Sequence, residues 1–232
     1  MCPSFCRLGT PQEGDPEDRP AVVQQPLGSV SLKREYQWFG ELGLCDVGML
    51  CMKQRVTPAL TQITGIHEIS SNLRRQLVDC WIAVTNTGGA AGFPFPPVRD
   101  DDVEPAADEL LSHLDPSRSR LLVARFGEDL AGWVVLRRDP FRLVAHWGSV
   151  HHLQTHPDFR GRGVGSALMR EVRTVARDEL GLEQLRLAAR AKEGLEDFYG
   201  HLGWREAGRW PNALRFAPDD TRDEVLMLLA PL

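Results

Sequence analysis

The residues best placed for chemistry run from Leu153 to Met169, LQTHPDFRGRGVGSALM. The stretch reads as a strand end, a glycine-rich turn and the first turns of an amphipathic helix. Such a turn exposes backbone N–H groups at a helix N-terminus, where the helix dipole favours negative charge. That chemistry suits a phosphate or diphosphate. Arg160 and Arg162 add donors for phosphate oxygens. Gly161, Gly163 and Gly165 let backbone approach a ligand without a Cβ in the way. Pro157 has no N–H to donate and ends strand pairing before the turn. No Lys follows the glycines, so the mononucleotide loop G-x-x-x-x-G-K-[ST] is not met. The dinucleotide fingerprint G-x-G-x-x-G also fails, because its third glycine falls on Ser166 or Leu168.

What the loop does fit is R-x-x-G-x-G, as Arg160 to Gly165. It resembles the acetyl-CoA pyrophosphate loop of the GNAT superfamily of N-acetyltransferases. A second segment, Phe198-Tyr199-Gly200-His201-Leu202-Gly203-Trp204, resembles that family's F-Y-x-x-L-G-[FW] motif, in the right order and at a plausible spacing. The resemblance spans residues 60–232 and is strongest from Val150 to Gly208. It implies acetyl-CoA as co-substrate and acetyl transfer to a primary amine of a small molecule or peptide, by direct attack in a ternary complex. The backbone of Leu153, Gln154 and Thr155 would pair with pantetheine. Gly161, Gly163, Val164 and Gly165 would meet the diphosphate through N–H groups, with Arg160, Arg162 and the Ser166 hydroxyl beside them.

The same resemblance places Tyr199 where a tyrosine donates a proton to the departing sulfur. Many members carry a Glu on the strand before the loop; residues 145–152 contain none. His146, His151 and His152 are the titratable groups there, and an imidazole near pKa 6.5 serves as a base at neutral pH. Strict alternation puts His151 on one face with Ser149 and Leu153, and His152 on the other. His151 is the candidate base, with a chain of waters as the alternative. Lys192 stands where the family often has an Asn contacting pantetheine, and from there it could reach a cofactor phosphate. Acceptor selectivity in this fold comes from the first two helices and their connecting loop, here GFPFPPV. Phe93 and Phe95 are candidates to wall an apolar pocket. Trp81 is carried with them, although a large aromatic on an apolar helix face also reads as core. Dimers are common in the family, so a homodimer is open. A catalytically inactive CoA-binding regulatory domain would carry the same loop and is the alternative function.

The rest of the chain bounds these readings. Its 232 residues are 42% hydrophobic, enough for one core plus extra chain. A net charge of -5 gives no general affinity for nucleic acid. No apolar run reaches bilayer length, and residues 1–15 lack the apolar region of a secretory signal. Five scattered cysteines suggest neither a disulfide framework nor a metal site, and reduced thiols point to the cytoplasm.

The elements that must position the site follow from periodicity. Residues 1–58, rich in Pro, Gly and acidic groups at the start, read as a disordered or poorly structured extension; 59–232 form the acetyltransferase-like domain. Leu60–Ile69 reads as a strand. Ser70 or Ser71 caps a helix, and Asp101 or Asp102 a second. Strands follow at 120–126, 130–138 and 145–155. The helix after the glycine turn presents Val164, Leu168, Val172, Val175, Ala176 and Leu180 on one stripe. Then come a strand at 184–189, a helix at 194–202 and closing strands at 204–210 and 224–230. The order β-αα-βββ-α-β-α-ββ is a mixed α/β sheet with helices on both faces. The family resemblance adds that its central strands splay apart.

Overall fold

The computed structural model describes residues 57–89, 92–93, 96–191 and 193–232. The expected extension falls almost wholly outside the described residues, and so do Phe95 and Lys192. The domain consists of β1 (Ala59–Ile63), α1 (Ser71–Asn86), α2 (Asp100–Ser112), β2 (Ser119–Phe126), β3 (Asp129–Arg138), β4 (Trp147–Thr155), α3 (Val164–Asp178), β5 (Gln184–Arg190), α4 (Leu195–Gly200), β6 (Arg205–Ala217) and β7 (Asp220–Leu229). They form one seven-stranded sheet in the order β1-β2-β3-β4-β5-β7-β6. All pairings are antiparallel except β4 with β5.

Two apolar clusters sandwich the sheet. α1 and α2 cover one face through Leu77, Val78, Trp81 and Val103, packed on Leu121, Val123, Trp133 and Val135. α3 covers the other through Val164, Leu168, Val172 and Val175, against Leu122, Val134, Leu136 and Leu185. The inward residues of β2 and β3 alternate between these clusters, as a sheet buried on both faces requires. Each fully buried aliphatic side chain contributes roughly 1.5–3 kcal/mol. The α3 stripe therefore anchors the helix whose N-terminus forms the glycine turn.

Local chemistry sets the boundaries. The Ser70 hydroxyl accepts from the Leu73 N–H at 3.1 Å and caps α1. The first strand is shorter than periodicity predicts. It stops at Ile63, because Glu68 draws Thr64 and Gly65 into a tight turn by accepting both N–H groups, at 2.8 and 2.9 Å. α2 begins slightly early, at Asp100, where the Asp102 carboxylate accepts the Arg99 N–H at 2.9 Å. The closing hairpin is longer than expected. Pro211 and Asn212 read as a strand end, but β6 carries them through the register shift between Trp210 and Leu214 and resumes pairing at Leu214.

β4 and β5 pair only over Trp147–Ser149 with Gln184–Arg186 and then part. On the opposite edge of β4, pairing with β3 slips by one residue between Val135 and Trp133, a bulge at His152 and Leu153. Gly132 lies beside it. A Cβ there would stand 2.5 Å from the Gln154 carbonyl oxygen and 2.9 Å from Val164 Cγ1. Gly132→Ala is expected to cost about 1–3 kcal/mol in stability, read from the urea midpoint, because backbone of β4 must shift. An unchanged midpoint would show that the contact is not tight.

Candidate active site

The glycine turn is built as its sequence requires. After β4, a short turn over Pro157–Phe159 leads to Arg160. Gly161 and Gly163 adopt φ of 75° and 81°, a region L-side chains rarely enter, and Gly163 is the N-cap of α3. Among the described residues, the N–H groups of Gly161, Gly163, Val164, Gly165 and Ser166 have no hydrogen-bond partner; the first capping bond is from Ala167. Five donors thus stand together at a helix N-terminus. Gly165 is packed under Phe198 of α4, whose Cζ would lie 3.3 Å from an added Cβ. That contact joins the two sequence motifs physically.

These donors open on a cavity of about 870 Å³ between the parted ends of β4 and β5. Leu153, Gln154, Thr155, Gly161, Gly163, Val164, Gly165 and Ser166 lie on its wall. The Gln154 side chain turns away into the core, where its amide atoms have no partner among the described residues. Arg160 is on the wall and donates to Thr87 Oγ1 at 3.1 Å, tying the turn to the end of α1. Arg162 is placed differently from Arg160: its guanidinium stacks on Phe159, 5.1 Å from the ring centre, away from the cavity wall.

Tyr199 lines the cavity and is only 7% exposed, packed against Phe198 and Trp204. Burial raises its phenol above the usual value, so the hydroxyl keeps its proton. Phe93 is also on the wall and meets Trp81 edge-on at 5.4 Å. Trp81 itself is not a wall residue. It is buried in the α1 core, touching Trp133 and His152. It backs the site rather than contacting a ligand.

The histidines depart from strict alternation. His152 takes φ 54° at the bulge, and the extra residue breaks the period of two. Leu153 packs toward the α3 cluster. The His151 and His152 rings lie 6.3 Å apart, not on opposite faces. His151 is exposed and absent from the cavity wall, so the candidate base is misplaced. His152 is on the wall, stacked on Trp133 at 5.8 Å and edge-on to Trp81 at 4.9 Å. His146 accepts from Trp147 Nε1 at 2.6 Å and also lies off the wall.

Sequence reasoning missed two further contributors: the end of α1 at Thr87–Gly89, and a wall built by Arg190 of β5 with Phe216 of β6. The glycine pair after α1 is a visible helix stop, but nothing local reveals what it faces. Among the described residues no group of three or more His, Cys, Asp or Glu could hold a metal ion, and no helix is long and apolar enough to cross a membrane.

Burial, then the His151 and Arg137 charges, push the His152 imidazole down to about 4 from its ordinary 6.5. Between those values the unfolded chain holds a proton that the folded chain does not. Stability at His152 is therefore complete above pH 6.5 and is lost as pH falls toward 4. Tm is expected to drop across this window, and His152→Phe, which keeps the ring packing, should flatten the drop. An identical Tm–pH slope in the variant would contradict the buried neutral imidazole.

Known proteins share this fold. The domain superposes on the ribosomal-protein-S18-alanine N-acetyltransferase of Escherichia coli with a TM-score of 0.56 at 16% identity, over 75% of this chain and 94% of that one. An N-acetyltransferase of Staphylococcus aureus Mu50 gives 0.57 at 14% identity, over 74% and 98%. An acetyltransferase of the GNAT family from Streptococcus pneumoniae gives 0.55 at 17%, over 74% and 99%. At such identities these show a common fold. A search of curated protein sequences finds no match. The sequence model of the acetyltransferase (GNAT) family matches residues 83–204, more than half of the chain, and includes both the glycine turn and the aromatic segment around Tyr199. The chain therefore belongs to the acetyltransferase (GNAT) family.

Proposed function

We propose that the chain moves an acetyl group from acetyl-CoA to a primary amine of a small molecule or peptide, by direct attack with both held in the cleft. The observation that carries this is the row of five unpartnered N–H groups opening on the gap between β4 and β5. Such donors fit a diphosphate, and parted strand edges fit a ligand rich in amides. When bound, acetyl-CoA supplies an acetyl group activated as a thioester.

The residues that would hold it are Gly161, Gly163, Val164, Gly165 and Ser166 through N–H groups, Arg160 through its charge, and Leu153, Gln154 and Thr155 through backbone. Arg162 lies off the wall and acts at most through long-range attraction. Tyr199 holds a proton at Oη for a leaving thiolate, since burial keeps it neutral. His152 takes the place first assigned to His151: its neutral imidazole on the wall accepts a hydrogen bond from the incoming amine and orients its lone pair. Its low basicity leaves the net deprotonation to solvent, so the rate should follow the acceptor's own titration. Phe93, with Trp81 behind it, excludes water at the acceptor end.

Calorimetry should show acetyl-CoA binding, and an amine panel should show thiol release. Tyr199→Phe is expected to lower kcat at least about tenfold while the KM for acetyl-CoA stays within about twofold. Unchanged kcat would remove Tyr199 from the acid role. Binding without thiol release from any amine would favour a non-catalytic CoA-binding domain.

A further inference from the structure

The opposite wall of the cavity holds a buried arginine whose charge is incompletely answered. Arg190, the last residue of β5, is 5% exposed. One Nη2 hydrogen goes to the Gly88 carbonyl oxygen at the end of α1. Its nearest carboxylate, Glu193, is 3.7 Å away and is shared with Arg222. Arg222 in turn holds Asp220 at 2.8 Å. The Arg190 Nε is buried with no partner, and Nη1 makes no hydrogen bond among the described residues. Phe216 of β6 fixes the plane of the group, its ring centre 5.0 Å from the Arg190 guanidinium and 5.2 Å from that of Arg222. Burying a guanidinium with open donors is costly unless an anion completes it. The fork of Nε and Nη donors matches a carboxylate or phosphate oxygen pair.

Resting on the acetyl-transfer reading, we infer that Arg190 is the binding site for a carboxylate on the acceptor, so that the acceptor is an amine that also carries a carboxylate, such as an amino acid. The other source of that chemistry is a cofactor phosphate. It is disfavoured because the phosphate donors already stand at the start of α3 with Arg160, whereas Arg190 is held by α1 and the β6–β7 hairpin. A site that hydrogen-bonds a ligand group rejects the analogue lacking it, because its own buried polar atoms are then left open.

The test compares α-amino acids with their carboxamides in a thiol-release assay, in parallel with acetyl-CoA calorimetry. The wild-type protein should prefer the acid by about tenfold or more in kcat/KM. Arg190→Gln should bring that ratio near one. Arg190→Lys, which keeps the charge but not the fork, should give an intermediate ratio and serves if the Gln variant fails to fold. A wild-type ratio near one, or turnover of plain amines but of no carboxylate-bearing acceptor, overturns the inference and leaves acetyl transfer standing. A ratio that survives in the Arg190 variants while acetyl-CoA affinity falls assigns the group to the cofactor and also overturns it. Absence of acetyl-CoA binding by the wild-type protein removes both the inference and the function beneath it.

Discussion

The site depends on two neighbouring parallel strands that stop pairing after three residues. β4 and β5 hydrogen-bond only from Trp147 to Ser149 and from Gln184 to Arg186. Beyond that, their inner edges carry N–H and C=O groups that a continuous sheet would satisfy internally. Exposed strand edges in a sheet otherwise buried on both faces call for a ligand that presents peptide-like groups. The parting is stable because each strand keeps its outer neighbour: β4 stays on β3 and β5 on β7. The cleft thus opens without unravelling the sheet, and the apolar clusters on both faces hold its walls apart.

Around this gap the charges are divided by wall. The start of α3 offers backbone donors and Arg160, while the end of β5 offers Arg190. Both arginines reach the C-terminal end of α1, one at the Thr87 hydroxyl and the other at the Gly88 carbonyl. A helix C-terminus carries partial negative charge and welcomes cations. The segment that follows, with Gly92 and Phe93 on the cavity wall, is therefore positioned by both sides of the cleft. His152 completes the floor. Its left-handed backbone is strained for a histidine, and such strain persists where surrounding packing enforces it. Here Trp81 and Trp133 supply that packing.

Much of this was legible in the chain because it is local. The glycine turn, the α3 stripe and the Phe198–Trp204 segment each declare themselves within one or two helical turns. The order of elements follows from periodicity, and helix faces were placed correctly because amphipathicity reports burial directly. What was hidden is set across the sheet. A bulge is invisible to a period-two reading, which puts His151 and His152 on opposite faces, whereas the bulge brings His152 onto the cavity wall and leaves His151 off it. Trp81 reads both as a pocket candidate and as core from its apolar helix face, and its ring lies in the core behind the cavity wall. Arg190 ends an apolar strand and reads as an ordinary boundary charge; only the packing of Phe216 and Gly88 shows it enclosed. The closing hairpin was underestimated because Pro211 and Asn212 are turn residues that β6 absorbs at a register shift.

The measurement that bears most directly on this account is amide NMR during titration with CoA, which carries the diphosphate and pantetheine but no acetyl group. The five open N–H groups from Gly161 to Ser166 and the inner edge of β4 at Leu153–Thr155 should show the largest shift changes, with β1 and α2 nearly still. Saturable binding that leaves Gly161–Ser166 unperturbed would contradict the proposed seat of the cofactor.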